Sequence, residues 1–302
     1  MQMTGMRLTQ LVAAVALVVG AAGAAPAAEF DRTVPVSKGT RLDVRLFGGE
    51  VVVRAWDKDA VRVRATHFRL DTIEIATARD ALTVRTRAAG GAPHAIDFTI
   101  DVPSWMAITV GGTYLDVSIE GTRGDVTAET VRGDIKVVGG AGTIVLKSVD
   151  GQVSLDDGRG RVELHAVNEG GIRATGVKGD LVAETVNGEV TLERVEGATV
   201  EVSTVGGDIS WDGTMTPGGR YQFATHSGGI DVSLDPQASV SVNVRAYQGV
   251  FRARLAVELP SAAARSKRFS FVLGTGASRL DLETFTGTIT IRGRTERPAR
   301  RR

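Results

Sequence analysis

Between Gly124 and Ser210 apolar and polar residues alternate in short bursts, and each burst opens on glycine: GDVTAETVR, GDIKVVGGA, GTIVLKSVD, GQVSLDDGR, GRVELHAVNE, GIRATGVK, GDLVAETVN, GEVTLERVE, GATVEVSTV. One apolar column recurs at Val126, Ile135, Ile144, Val153, Val162, Ile172, Leu181, Val190, Val200 and Ile209, in steps of nine or ten residues. Two positions on, a second column holds Ala128, Val137, Leu146, Leu155, Leu164, Ala174, Ala183, Leu192, Val202 and Trp211. A third holds Val131, Val149, Val167, Val177, Val186, Val195 and Val205. Period-two alternation buries one face of a strand and leaves the other wet. Gly-Asp, Gly-Glu and Asn-Gly pairs supply the positive φ angles of tight corners. A nine-residue unit cannot bury its own apolar face, so the units must stack on one another.

A longer period lies over the short one. The phrases TVRGDI, SVDGQV, TVNGEV and TVGGDI, with Val167 between them, place Val131, Val149, Val167, Val186 and Val205 at steps of 18, 18, 19 and 19. Two unlike strands per coil account for this. The prediction is an all-β chain: a single-stranded β-solenoid (β-helix) with two main sheets and 18–19 residues per coil. One sheet carries Val126, Ile144, Val162, Leu181 and Val200; the other carries Ile135, Val153, Ile172, Val190 and Ile209. Inward side chains then stack at the ~4.8 Å strand spacing.

On either side the rhythm loosens. Residues 30–110 read as opening coils with longer loops, with corners at Gly48-Gly49 and Asp57-Lys58-Asp59. After Ile209, residues 213–223 (GTMTPGGRYQF) read as an inserted loop, and the pattern resumes through irregular closing coils to residue 293. Residues 29–293 thus form one solenoid domain, with regular coils over 111–212. Terminal coils must be atypical, because an exposed end is an unpaired edge. Helix is expected only in the leader and in a turn near Ser261–Arg265.

Residues 1–28 combine Arg7, an apolar run from Leu11 to Val19, and small residues ending Ala25-Pro26-Ala27-Ala28. That is the pattern of a secretory signal peptide cleaved after Ala27 or Ala28; the run is too short for the ~20 apolar residues of a span. No membrane span is therefore expected once the leader is cleaved. The chain has no cysteine, hence no disulfide framework. The net charge of +1 conceals a mildly acidic body, since the tail from Arg292 carries six arginines and one acid, Glu296. An acidic body argues against nucleic acid as a partner. The basic residues 294–302 read as a solvated tail.

Candidate chemistry is sparse. A calcium-binding nonapeptide solenoid places Asp where Ile144 stands after Gly139-Gly140-Ala141-Gly142. The four histidines, His67, His94, His165 and His226, have no ligand neighbour at short spacing. His165 falls at an outward position in register with Glu129, Lys147, Glu184 and Ser203. Asp156, Glu193 and Asp212 align on the second sheet, with Thr175 between the first two, and Asp156 and Glu193 stand two coils or ~10 Å apart. That separation is long for a glycosidase pair. The expectation is a protein that is not an enzyme and uses no metal or cofactor. Tyr221 and Phe223, in or beside the inserted loop, are the candidate partner contacts.

The phrases WDKDAVRV, IDVPSWMAITV, TVRGDI and TVNGEVTL, in that order, resemble the bacterial putative-adhesin family of β-strand-repeat proteins, whose members are toast-rack-like β-solenoids of unknown function. The resemblance spans roughly residues 40–293 and brings no catalytic residues. It implies secretion and a single-stranded solenoid. With the leader, which points to a periplasmic or extracellular location, the leading expectation is a non-enzymatic structural, adhesin-like or interaction module of the cell envelope that presents polar ladders to an envelope protein or glycan. The alternatives are an envelope-stress component that senses or sequesters a ligand, and a carbohydrate-active β-helix enzyme.

Overall fold

The computed structural model describes residues 27–68, 71–88, 90, 93–168, 170–255 and 267–294. Residues 1–26, the stretch around Ser261–Arg265 and the tail beyond residue 294 lie outside the described residues, so the expected leader, helical turn and solvated tail do too. Among the described residues there is no helix: all are strand, bridge, turn, bend or irregular.

The alternating bursts stack into two parallel-stranded faces. Ordered along the stack, the first face runs Thr72–Ala78, Ala81–Arg87, the start of Arg41–Trp56, the start of Ile108–Glu120, Val126–Arg132, Ala141–Asp150, Arg159–Ala166, Leu181–Thr185, the end of Val190–Thr204, the end of Ile209–Ser227, Ser278–Thr286, Val240–Ala246 and Arg268–Leu273. The second runs Ala27–Pro35, Ala60–Phe68, Asp97–Pro103, the end of Arg41–Trp56, the end of Ile108–Glu120, Ile135–Val138, Val153–Asp156, Ile172–Thr175, the start of Val190–Thr204, the start of Ile209–Ser227, Ile230–Leu234, Thr288–Gly293 and Val250–Arg254. The predicted register holds: Ile144 lies between Val126 and Val162, and Val153 between Ile135 and Ile172. Both inward columns are at most 2% exposed over Val126–Ile209. At ~25 cal/mol per Å² of apolar surface removed from water, these columns dominate the stability.

The ends depart from a simple coil. The coil of residues 41–56 lies inside the later coil of residues 81–103, and the coil of residues 278–293 lies inside the earlier one of residues 240–254. Antiparallel strands then finish the stack: Thr72–Ala78 on Ala81–Arg87, Ala27–Pro35 on Ala60–Phe68, and Arg268–Leu273 on Val240–Ala246. The fourth end, Val250–Arg254 on Thr288–Gly293, stays parallel, and the terminal strands are short, which limits the open edge. The two phrases that open the repeat also meet in space. Trp105 Nε1 donates to Asp59 Oδ1 at 3.1 Å, and Trp56 Nε1 donates to Ala60 O at 2.7 Å.

Corners are built from three side-chain types. Asp116, Asp125, Asp134 and Asp180 each accept, through Oδ1, the backbone N–H of Asp134, Thr143, Gln152 and Thr199 in the next coil, at 2.8–3.0 Å. The recurrent Gly-Asp pair is thus an amide cap repeated coil by coil. Ser148, Thr225 and Thr284, buried one step before each corner, donate to glycine carbonyls at 2.9–3.1 Å. Glycine itself serves close approach more than positive φ. A Cβ on Gly151, Gly207 or Gly228 would lie 2.0 Å from the glycine carbonyl oxygen of the neighbouring coil, and none of the three has a positive φ.

Leu164 is fully buried and Glu163 faces out beside Arg161 at 3.0 Å. Leu164→Asp therefore places a carboxylate in the dry core and should cost at least ~3 kcal/mol in urea unfolding. Glu163→Lys should stay within ~0.5 kcal/mol, as exposed pairs contribute little. Equal effects would invert the inside and outside of this strand.

Candidate functional site

Tyr221 and Phe223 do not face a partner. They are 1% and 0% exposed and extend the inward column, in register with Val200 and Val202. The residues expected to form an inserted loop belong to one long strand, Ile209–Ser227, whose alternation carries both rings inward. They pack against Trp211 at 5.8 and 5.9 Å between ring centroids. Tyr221 Oη donates to Gly197 O at 2.7 Å and accepts from Thr216 N at 2.8 Å, so its polar end is satisfied inside.

The second-face carboxylates align as expected, Asp156, Thr175, Glu193 and Asp212 in one outward column. Asp212 is bound to Arg294 Nη2 at 2.6 Å. His165 stands in its predicted ladder, Nδ1 3.3 Å from Glu184 Oε2. His94 Nδ1 lies 2.9 Å from the buried Asp71 carboxylate. Among the described residues, no three of His, Cys, Asp and Glu gather as a metal ion would need.

Several shallow clefts flank the coils, and two of them hold carboxyls with lowered pKa or their partners. One, of about 420 Å³, is lined by Glu29, Asp31, Glu50, Asp97 and Arg64. There the hydrogen bond from Arg62, with its charge and that of Arg64, holds the Asp31 carboxyl below the usual range despite some desolvation. The other, of about 510 Å³, includes Arg220, Gln222, Arg279 and Asp281. Partial burial would raise the Asp281 carboxyl, but hydrogen bonds from Arg279 and Asn243 and the nearby charge outweigh it and lower it.

The most continuous surface feature was not singled out as a site from sequence. The third valine column divides. Val177 and Val195 are buried at one corner, whereas Val131, Val149, Val167, Val186 and Val205 point outward at another, 38–51% exposed. The pairs on either side, Thr130 with Ser148 and Arg132 with Asp150, set them one above another. Parity carried the signal: Val126, Ala128 and Thr130 face in, so Val131 faces out. The rail continues into His226, whose ring stacks on Phe285 at 4.9 Å and 4°, and then into Tyr247, 6.1 Å from Phe285. At its other end Tyr114 packs against Phe47 at 5.4 Å. One flank carries Glu129, Lys147, His165 and Glu184; the other carries Arg132, Asp150, Asn168 and Asn187.

The two valine-cored faces, the glycine corners and the periodic polar columns define a β-solenoid built by stacking. The chain belongs to the toastrack DUF4097 family, which it matches over residues 32–292. No curated protein matches it. Among solved structures it is similar to a putative adhesin from Bacteroides fragilis NCTC 9343, with 14% identity, 87% of this chain and 97% of that one covered, and a TM-score of 0.41. A putative adhesin from Parabacteroides merdae ATCC 43184 has 9% identity, 87% and 95% coverage and a TM-score of 0.36. A putative lipid binding protein from Parabacteroides distasonis ATCC 8503 has 11% identity, 88% and 97% coverage and a TM-score of 0.33. Among the described residues no helix is long and apolar enough to cross a membrane.

Where calcium solenoids place their aspartate, Ile144 is fully buried, and the corner aspartates are engaged by backbone amides. Chelator should leave the melting temperature unchanged; a fall of several degrees that calcium reverses would show metal-coupled folding instead.

Proposed function

We infer that this chain is an exported, non-enzymatic interaction module of the bacterial envelope, a stiff scaffold that presents ordered polar columns to a protein or glycan. The observation that carries this reading is the register of the outward residues. Glu129, Lys147, His165, Glu184 and Ser203 repeat coil by coil on one face, and Lys136, Ser154, Arg173, Thr191 and Ser210 on the other. A repeat mounted on a continuous core loses little entropy on binding, because its contacts are pre-ordered. Export is supported by the leader at residues 1–28. Cleavage after Ala28 would remove only the Ala27 and Ala28 pairings from the first strand and leave Glu29 opposite Thr66.

The test is incubation of the exported chain with envelope extract and with isolated envelope glycans. The expected result is saturable retention on one fraction, with no new reducing ends released. Reducing ends that appear with the wild-type chain and vanish with Asp156→Asn or Glu193→Gln would replace this reading with a glycan hydrolase.

A further inference from the structure

We propose that the outward valine rail is a self-association surface, on which two copies of this chain pair side by side with their stacks parallel. This goes beyond the envelope reading and does not depend on which ligand the module binds. It begins from the rail itself. Val131, Val149, Val167, Val186 and Val205 repeat once per coil, each 38–51% exposed, bracketed by Phe47 and Tyr114 at one end and by His226, Phe285 and Tyr247 at the other. The valines form one line of half-exposed apolar side chains, and the largest such patch on a monomer is often functional.

Pitch selects the occupant. Successive valines are one strand spacing apart, ~4.8 Å, and a second copy presents the same spacing along its whole rail. With the stacks parallel, each valine meets its counterpart on the other copy at the same height, and the two columns exclude water between them.

Charge selects the orientation. A two-fold axis parallel to the stack sets each coil against its own counterpart and turns the Arg132 flank of one copy toward the Glu129 flank of the other. Arg132 then faces Glu129, Asp150 faces Lys147, Asn168 faces His165 and Asn187 faces Glu184. Within one copy these groups already touch: Lys147 lies 3.6 Å from Glu129, Arg132 lies 3.4 Å from Asp150 and over the Tyr114 ring, and Asn168 Nδ2 donates to Asp150 Oδ1 at 3.1 Å. The four charged side chains nevertheless stay 43–66% exposed, so they can also reach across a pair. An antiparallel pairing centred on Val167 would set Lys147 opposite Glu184 but put Arg132 opposite Gly206, Asp150 opposite Asn187 and Glu129 opposite Ser203, so it matches fewer charges than the parallel one. The apolar line is smaller than the ~800 Å² per partner of a standard interface, so the flanks must contribute and the affinity is modest.

The test uses sedimentation equilibrium of the full chain after export, from micromolar to several hundred micromolar. A reversible dimer is expected over that range. Val149→Lys with Val186→Lys should weaken it at least tenfold while leaving the melting temperature in place, since both side chains are outside the core; Val149→Thr with Val186→Thr should weaken it severalfold without adding charge. The chain has no cysteine, so single substitutions report orientation cleanly. Val131→Cys, Val167→Cys and Val205→Cys should each cross-link to itself under mild oxidation. Cross-linking at Val167→Cys alone would establish an antiparallel pair and overturn the proposed one. A chain that stays monomeric throughout overturns self-association, and binding of that monomer to phosphatidylglycerol vesicles, lost in the lysine variant, would assign the rail to a membrane surface. A dimer that survives the lysine variant places the interface elsewhere and overturns the proposal as well.

Discussion

The structure depends on how closely one coil approaches the next at its corners. Strands in a face are held ~4.8 Å apart by their hydrogen bonds, and a corner must keep that spacing while the chain reverses direction. At Gly151, Gly207 and Gly228 the neighbouring coil's carbonyl oxygen occupies the place a Cβ would take. The opposite corner repeats the arrangement at Gly160, Gly179 and Gly197, where a Cβ would meet the preceding glycine's oxygen at 1.9–2.2 Å. With the corners so close, the aspartate carboxylates reach the next coil's amides and the threonine hydroxyls reach the preceding coil's glycine carbonyls. The valine columns follow from that registration.

The same constraint explains what the surface offers. Because each coil repeats the last, an outward residue in one coil is matched by an outward residue above and below it. Polar columns arise on the faces, and a valine column arises at the corner where the chain has just turned a threonine inward. The surface is thus organised in columns, with shallow clefts beside the coils.

Much of this was legible in the chain. Nine-residue alternation with glycine corners specified the two faces, their register and the inward residues from Val126 to Trp211, because parity along a strand admits no other assignment. Three things were not legible. Tyr221 and Phe223 followed a glycine-proline stretch that reads as a loop, and only the continuation of the Val200 and Val202 column shows that they face inward. The interleaved ends depend on long-range pairings, residues 278–293 seated inside residues 240–254, which periodicity cannot express. The rail's exposure was written in the parity of Val131, but an apolar residue in a repeating phrase reads first as core.

Thermal unfolding of two glycine variants tests the corner constraint most directly. Gly207 has no positive φ and no room for a Cβ, whereas Gly293 has no positive φ and open space around it. Gly207→Ala should cost about 1–3 kcal/mol of overpacking, a fall of about 2–12 °C in melting temperature, while Gly293→Ala should change it by no more than about a degree. Equal melting temperatures for the two variants would contradict the account, since the corners would then tolerate the wider spacing that a side chain imposes.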